Sequence, residues 1–481
     1  MISRTVLPFG EWLPDQPDLG NAVSVVTNAI PQVSSYRSVR ELTAVTNALT
    51  AACVGGFWAQ QSDGTYFGFA GDATKLYSLS GGTYSDVSIL AGYSGVDSWE
   101  FVKWGDRVIA VSLSATTQYF DMGASSLFAD LPGSPPKAKT IAAVRDFIVM
   151  GNIDDGTQRP NRIQWGGYNS SELWTSSLAT QSDYQDLFGR GGDVQKITPG
   201  EIGYIFQEHS IRRMTYVGPP KIFQIDEIEK DRGAFAANSV VWFGNMYFYY
   251  SHDGFYVFDG QVSTPIGAEK VDRFFKADFD TTDTNLMRGA IDRKNKMVLW
   301  AYPSTSKGRN CIITYRWDVR KWGWIDQDTE ILLEHASAGY NLDTLDSIMT
   351  DIDATSINME SEAYLGGDIA LAGFDTAHKL ATFTGDYLAA EIETGEMLPP
   401  DGKRVAIKSA RPLSDGVISL QIGTRDNQND NYAYGLAQTE NTKGEMNFRT
   451  SARYHRAKAT ITGGANHMTG IELFFRLEGR R

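Results

Sequence analysis

Short apolar runs closed by Gly- and Asp-rich turns set the rhythm of the first two thirds of the chain. Thr65-Tyr-Phe-Gly-Phe69 is followed by Gly71-Asp72, then by Lys75-Leu-Tyr-Ser-Leu79 and Gly81-Gly82. The run 99–104 leads through Gly105-Asp106 into Arg107-Val-Ile-Ala-Val111, and 141–150 reads as one run ahead of Gly151-Asn152. The run 203–206 precedes 210–216. The run 240–243 meets 246–250 across Gly244-Asn245, and His252-Asp253-Gly254 introduces 255–258. Runs at 297–302 and 311–317 close the series at Trp322-Gly-Trp324. These are the marks of β-hairpins on tight turns.

The hairpin centres fall at intervals of roughly 45 residues, the spacing of propeller blades built from four strands. An array of β-sandwiches would give similar hairpins. No single motif recurs, so this is neither a WD40 nor a kelch signature. The pattern predicts an all-β protein: a β-propeller over 51–395, a small antiparallel β domain over 396–481, and an extended arm over 1–50 that closes the propeller ring. The C-terminal segment alternates at 417–422 and 457–461 and ends on the strand-like run 471–477.

Composition supports the fold class. Aromatic residues make up 12% of 481 residues and Gly contributes 47, which favours aromatic strands on Gly turns. Cys53 and Cys311 share no ligand-like spacing, so buried free thiols in a reducing cytoplasm are expected. No signal-like h-region opens the sequence, and no run of 18 apolar residues would span a membrane. Charge is uneven. Residues 1–325 hold 34 acids and 30 bases, 326–395 hold 15 acids and one base (Lys379), and 396–481 hold nine acids and 13 bases. The strongest field is negative, which argues against gripping nucleic acid by its phosphates.

Enzymatic chemistry finds little footing. His209, His252, His335, His378, His455 and His467 fall in no HExxH or HxH pattern. There is no GxSxG, Walker A or strand-borne GxGxxG motif, and Gly189-Arg-Gly-Gly192 reads as a turn. The acid pairs Asp278/Asp280, Asp351/Asp353 and Glu391/Glu393 would share a strand face, as a glycosidase needs, but any acidic surface yields such pairs. Ser251-His-Asp253-Gly254 approaches a sialidase Asp-box without its spacer or Trp. The oxygen-rich loop 426–431 lacks the Gly and distant Glu of a calcium loop. No catalytic, cofactor-binding or metal-binding residues are expected. A carbohydrate-binding or glycan-hydrolysing propeller used in host recognition is the alternative.

Several segments taken in order resemble a known family. They are Trp12-Leu-Pro-Asp15 with Pro17 and Leu19, Asn28-Ala-Ile-Pro31, Tyr36-Arg37, Lys75-Leu-Tyr77, Trp104-Gly-Asp106, and Asn161-Arg-Ile-Gln-Trp165 with Trp174. Gly218-Pro219 ahead of Phe223, Asp253-Gly-Phe-Tyr256, Pro265-Ile-Gly267, Glu269-Lys-Val271, Tyr340-Asn-Leu-Asp343, Leu345-Asp346 and Arg453-Tyr454 follow, before Gly479-Arg480-Arg481. The pattern is similar to that of the tail hub or nozzle proteins of short-tailed double-stranded DNA bacteriophages, also called tail tubular or packaged-DNA stabilisation proteins. The resemblance implies a virion structural protein, assembled in the host cytoplasm into a six-fold homo-oligomeric ring below the portal and its adaptor ring. A needle or plug protein would seal the far end, and tailspikes or fibres would attach outside. The ring would retain packaged duplex DNA and let it pass without specific binding and without membrane insertion.

Two groups of residues become candidates on that reading. Asp343, Asp346, Asp351 and Asp353 would present an acidic lumen that repels the duplex, or else an outer face or subunit contact. Lys403, Arg404, Arg411, Arg453 and Arg456 would meet an acidic neighbour in the ring or adaptor, or else solvent.

Overall fold

Strands such as Arg107–Val111 and Phe147–Asp154 are buried on both faces, and this governs the architecture. In the computed structural model, which describes residues 3–17, 22–336, 369–397 and 403–478, the described residues form seven four-stranded antiparallel sheets and two six-stranded ones. The seven small sheets are the blades of a β-propeller. Blades 1 to 6 cover residues 55–86, 100–130, 137–186, 194–230, 241–265 and 288–325 in chain order. Blade 7 combines Ile331–Ala336, Ile369–Phe374 and Lys379–Thr382 with Thr43–Ala48 as its outermost strand. A strand from the start of the chain thus fastens the last blade.

Alternation within each strand welds neighbouring blades together. Val108 and Ala110 of blade 2 pack towards Phe69 and Leu76 of blade 1. Ile109 and Val111 on the other face of the same strand pack towards Ile141 and Met150 of blade 3. The same division is repeated around the ring, ending with Phe374 and Leu380 of blade 7 against Ala70 and Tyr77 of blade 1. Each fully buried Val, Leu, Ile or Phe contributes about 1.5–3 kcal/mol. Two-sided burial is why these strands read as unbroken apolar runs. Gly105 has φ +60° in the blade 2 hairpin turn, a backbone shape that a side chain disfavours.

Asp72 lies fully buried where the ring closes. Its carboxylate accepts from the Thr50 hydroxyl at 2.9 Å, just past the closing strand, and from Tyr77 Oη at 2.7 Å and the backbone of Thr74 and Lys75. Burial alone would raise its pKa, but these donors outweigh it and hold the carboxyl below the usual range.

The two larger sheets face each other as a sandwich that takes strands from both ends of the chain. One sheet orders Ala29–Pro31, Tyr36–Ser38, Met468–Leu477, Val405–Ser414 and Met446–Ala452, with Ser3–Pro8 also paired to Met468–Leu477. The other orders Val23–Thr27, Ala390–Thr394, Tyr454–Ile461 and Ile418–Arg425, flanked by the short strands Ala433–Tyr434 and Gln438–Thr439. Residues 3–17 and 22–38 thus supply sandwich strands and their connections where an extended arm was expected, and residues 390–394 belong to the sandwich, not to the propeller. The physical reason is pairing. Val23–Thr27 satisfies its backbone on Ala390–Thr394, and Ser3–Pro8 on Met468–Leu477.

The sandwich is bolted to blade 6. Asn28, at φ +56°, donates its N–H to the Trp324 carbonyl (2.8 Å) and accepts from Asp326 N–H (2.8 Å). A Cβ on Gly323 would meet the Ala29 carbonyl at 2.9 Å, so this close approach needs glycine. The N-terminal segment also caps the one α-helix of the described residues, α1 (Asp272–Asp278). Asp15 accepts from the N–H groups of Arg273 (2.7 Å) and Phe274 (2.8 Å). Asp15→Ala is expected to cost about 1 kcal/mol, measured as a shift of the urea midpoint. An unchanged midpoint would refute the cap.

Candidate functional site

The first strand of each blade lines the propeller axis, and side chains from non-neighbouring blades join across it. Glu100 of blade 2 accepts from the Thr140 hydroxyl of blade 3 (3.1 Å) and pairs with Lys196 of blade 4 (3.0 Å). Lys139 donates to Gln195 Oε1 at 2.7 Å. From blade 6, Arg288 reaches the Val54 carbonyl ahead of blade 1 and the Ser98 hydroxyl ahead of blade 2, the latter at 3.0 Å. Burial lowers the pKa of both Lys139 and Arg288. These ties span the axis and join blades that are not neighbours. The channel is a lashed hub.

A second concavity, of about 550 Å³, opens between blades 2 and 3 beside Trp104, Arg107, Asp121 and Glu172. Its charges are committed to one another. Arg107 holds Asp121 through two nitrogens (2.6 and 3.0 Å) and Glu172 through a third (2.7 Å), with its guanidinium over Tyr119. Asp106 accepts from both the amide and the hydroxyl of Ser62.

The described acid pairs also serve the fold. Asp278 accepts from Tyr302 Oη at 2.8 Å and Ser306 N–H at 2.9 Å, and Asp280 from Thr282. Asp253 accepts from Tyr256 Oη (2.6 Å) within its hairpin. In the 426–431 loop, Asp430 accepts from Asn427, and Asp426 pairs with Arg404. Among the described residues no three His, Cys, Asp or Glu side chains converge as metal ligands. Cys53 and Cys311 are buried, and burial pushes both thiols up to about 12, so neither is a thiolate nucleophile at neutral pH.

Asp343, Asp346, Asp351 and Asp353 lie outside the described residues. The basic set is placed in the sandwich and divides. Lys403 precedes Val405–Ser414. Arg404 pairs with Asp426 at 2.8 Å. Arg411, half exposed, pairs with Glu445 at 2.7 Å and lies over the Phe474 ring. The Arg453 side chain is exposed, while its N–H goes to Asp426. Arg456 turns inward to Glu393 at 2.8 Å. Arg411 and Arg453 thus face outward, whereas Arg456 belongs to the interior.

Arg456 is part of a ladder that sequence reading did not find. Glu396, buried, takes Arg425 (2.6 Å) and Tyr432 Oη (2.6 Å), while Glu393 takes Arg456 and Tyr434 Oη. The Tyr432 ring lies between the two guanidinium groups, at 4.5 Å from Arg425 and 4.4 Å from Arg456. Burial raises the Glu393 pKa against the pull of Tyr434 and Lys458. The ladder fixes the segment carrying the short edge strands onto the sandwich. Its only sequence signal was the Glu391/Glu393 pair, whose partners lie 41 or more positions further on.

No known family profile matches the chain. No curated protein matches it either. Among solved structures it is similar to the computationally designed Ika8 protein (10% identity, TM-score 0.38, covering 73% of this chain and all of that one). It is also similar to a chain of the Mitotic Checkpoint Complex (8% identity, TM-score 0.39, covering 63% of this chain and 90% of that one).

Proposed function

We propose that this chain is a structural subunit of a bacteriophage tail hub or nozzle, one block in a homo-oligomeric ring around the path of the genome. The observation that carries the reading is the lashed axis. Glu100, Lys196 and Arg288 bridge non-adjacent blades, so the propeller acts as a solid brick and any passage for DNA runs between copies. The acidic stretch 326–395 suits such a passage, because like charge keeps phosphates from adhering. The sequence resemblance supplies the virion setting, with an adaptor ring above, a plug below and tailspikes or fibres outside. A glycan-processing propeller would need free carboxylates in a pocket, and those beside the blade 2–3 cleft are tied to Arg107 or Ser62.

Electron cryomicroscopy of the virion tests this directly. Seven-bladed discs ringed about the tail axis below the portal are expected. Placement at a fibre tip, or glycan cleavage by the isolated chain, would overturn it.

A further inference from the structure

The geometry points to a covalent cross-link that the chain makes in itself at the propeller axis. It is an isopeptide bond between the side-chain nitrogen of Lys139 and the side-chain carbonyl carbon of Gln195, formed once with loss of ammonia. Such a bond forms whether or not the chain joins a ring.

Lys139 lies on the first strand of blade 3 (Lys137–Val144) and Gln195 on the first strand of blade 4 (Val194–Ile197). Both strands line the axis, which brings together two residues 56 positions apart in the chain. Gln195 is 6% exposed, and its carboxamide is held at both ends. Its Oε1 accepts from Lys139 Nζ at 2.7 Å, and its Nε2 donates to Glu208 Oε1 at 3.4 Å. Glu208 sits in the turn between Gly203–Gln207 and Ser210–Gly218 of the same blade. Its Oε2 accepts from Asp193 N–H (3.4 Å), and its own N–H donates to the Asp193 carbonyl (3.1 Å). Gly192, at φ +75°, leaves room for that carboxylate where a Cβ would strike it. The amine therefore touches the oxygen bonded to an acyl carbon, and a carboxylate touches the nitrogen that must leave.

The surroundings suit the reaction. An amine attacks only when neutral, and burial lowers the Lys139 pKa against the pull of Asp193, Glu208 and Glu100. Burial and the neighbouring Glu208 raise Asp193, so the cluster keeps a proton more readily. Fixing amine and amide side by side replaces a bimolecular encounter with a unimolecular step. The neutral Lys139 Nζ attacks Gln195 Cδ, and the C–N bond forms as the carbonyl π pair moves to Oε1. Glu208 takes a proton from the attacking nitrogen and delivers it to Nε2. The Cδ–Nε2 bond then breaks with its electron pair, the carbonyl re-forms, and ammonia leaves to solvent. A primary amine and a primary amide thus become a secondary amide and ammonia, with no oxidant or cofactor consumed. Escape of ammonia draws the single turnover forward. The product joins blades 3 and 4 covalently, where the neighbouring Glu100–Lys196 tie is ionic.

Intact-mass spectrometry of the full folded chain, followed by tryptic peptide mapping, tests the bond. A mass short of the sequence by one ammonia is expected, with residues 138–145 and 191–196 recovered as one branched peptide. Lys139→Arg should keep its full mass. Glu208→Gln, which cannot relay the proton, should form the branched peptide at least about 100-fold more slowly, as loss of general acid–base catalysis does. Circular dichroism confirms that both variants fold. A folded parent that retains its full mass overturns the bond. Ammonia lost elsewhere, as by cyclisation at an asparagine, leaves the two peptides separate and overturns it equally. A branched peptide that forms as fast in Glu208→Gln as in the parent overturns the relay.

Discussion

Trp12→Ala is expected to lower the stability of the whole molecule by about 3–5 kcal/mol, the range for removing a large buried aromatic. Trp12 is 2% exposed and sits where three parts of the chain meet. Its ring edge packs on Phe274 of α1 at 5.3 Å, its indole N–H donates to the Ser24 carbonyl, and its backbone bridges to Val23 of the sandwich. The core around it runs without a break from Phe255, Trp300 and Trp322 of blades 5 and 6 to Ile392, Ile407 and Ile471 of the sandwich. The alanine variant should unfold earlier in urea, with the sandwich separating from the propeller as a second transition. A shift below about 1 kcal/mol, within the range of ordinary surface substitutions and small core changes, would show that the two units do not share this core.

Acidification is expected to weaken the fold through two buried histidines. His455 is 1% exposed, neither ring nitrogen has a hydrogen-bond partner, and its surroundings include Leu7, Met397, Ile407, Ile422 and Leu473. Burial, with Arg404 second, lowers its pKa to about 4. His335, half-buried with its ring against Trp58 at 4.2 Å, is lowered to about 4 by burial. A histidine depressed in the folded state but ordinary in the unfolded one binds its proton only after unfolding between these values. Its contribution is therefore whole above about pH 6.5 and is lost as pH falls towards 4. At 1.36 kcal/mol per unit, His455 accounts for up to about 3 kcal/mol, and the more accessible His335 for less. Between pH 7 and 5 the parent should lose more stability on acidification than His455→Leu does, which isolates the histidine from half-buried Asp272, whose raised pKa of about 7 acts with the opposite sign. Urea midpoints of parent and His455→Leu that follow the same pH slope would falsify the assignment.

What the sequence disclosed follows from where the physical signal lies. The runs 246–250 and 255–258 coincide with strands of blade 5, because two-sided burial writes itself as aromatic runs bounded by Gly turns. The run 141–150 conceals a hairpin. Its turn is Arg145-Asp146, with Arg145 at φ +52°, and no Gly or Asn announces it. Helix α1 was missed because it is seven residues long and its cap comes from Asp15, more than 250 positions earlier. The strands Ala29–Pro31 and Tyr36–Ser38 span three residues each, too short for periodicity, and Tyr36 pairs with Met468 at the other end of the chain. The charge of the basic residues was legible, but their direction was not. Arg456 and Arg411 look alike in one dimension, yet one strand turns its residue towards Glu393 and the other towards solvent.

A sandwich woven from both termini also imposes an order on biosynthesis. Its earliest strands leave the ribosome more than 400 residues before Met468–Leu477, the strand that Ser3–Pro8 pairs with. At translation rates of about 5–20 residues per second, that is a delay of roughly 20–90 s. Through that interval Val23, Val26 and Trp12 have no finished core to enter. Premature termination anywhere after the propeller leaves the same apolar strands stranded, so truncated products should be marked for chaperones or proteases while full-length chains escape.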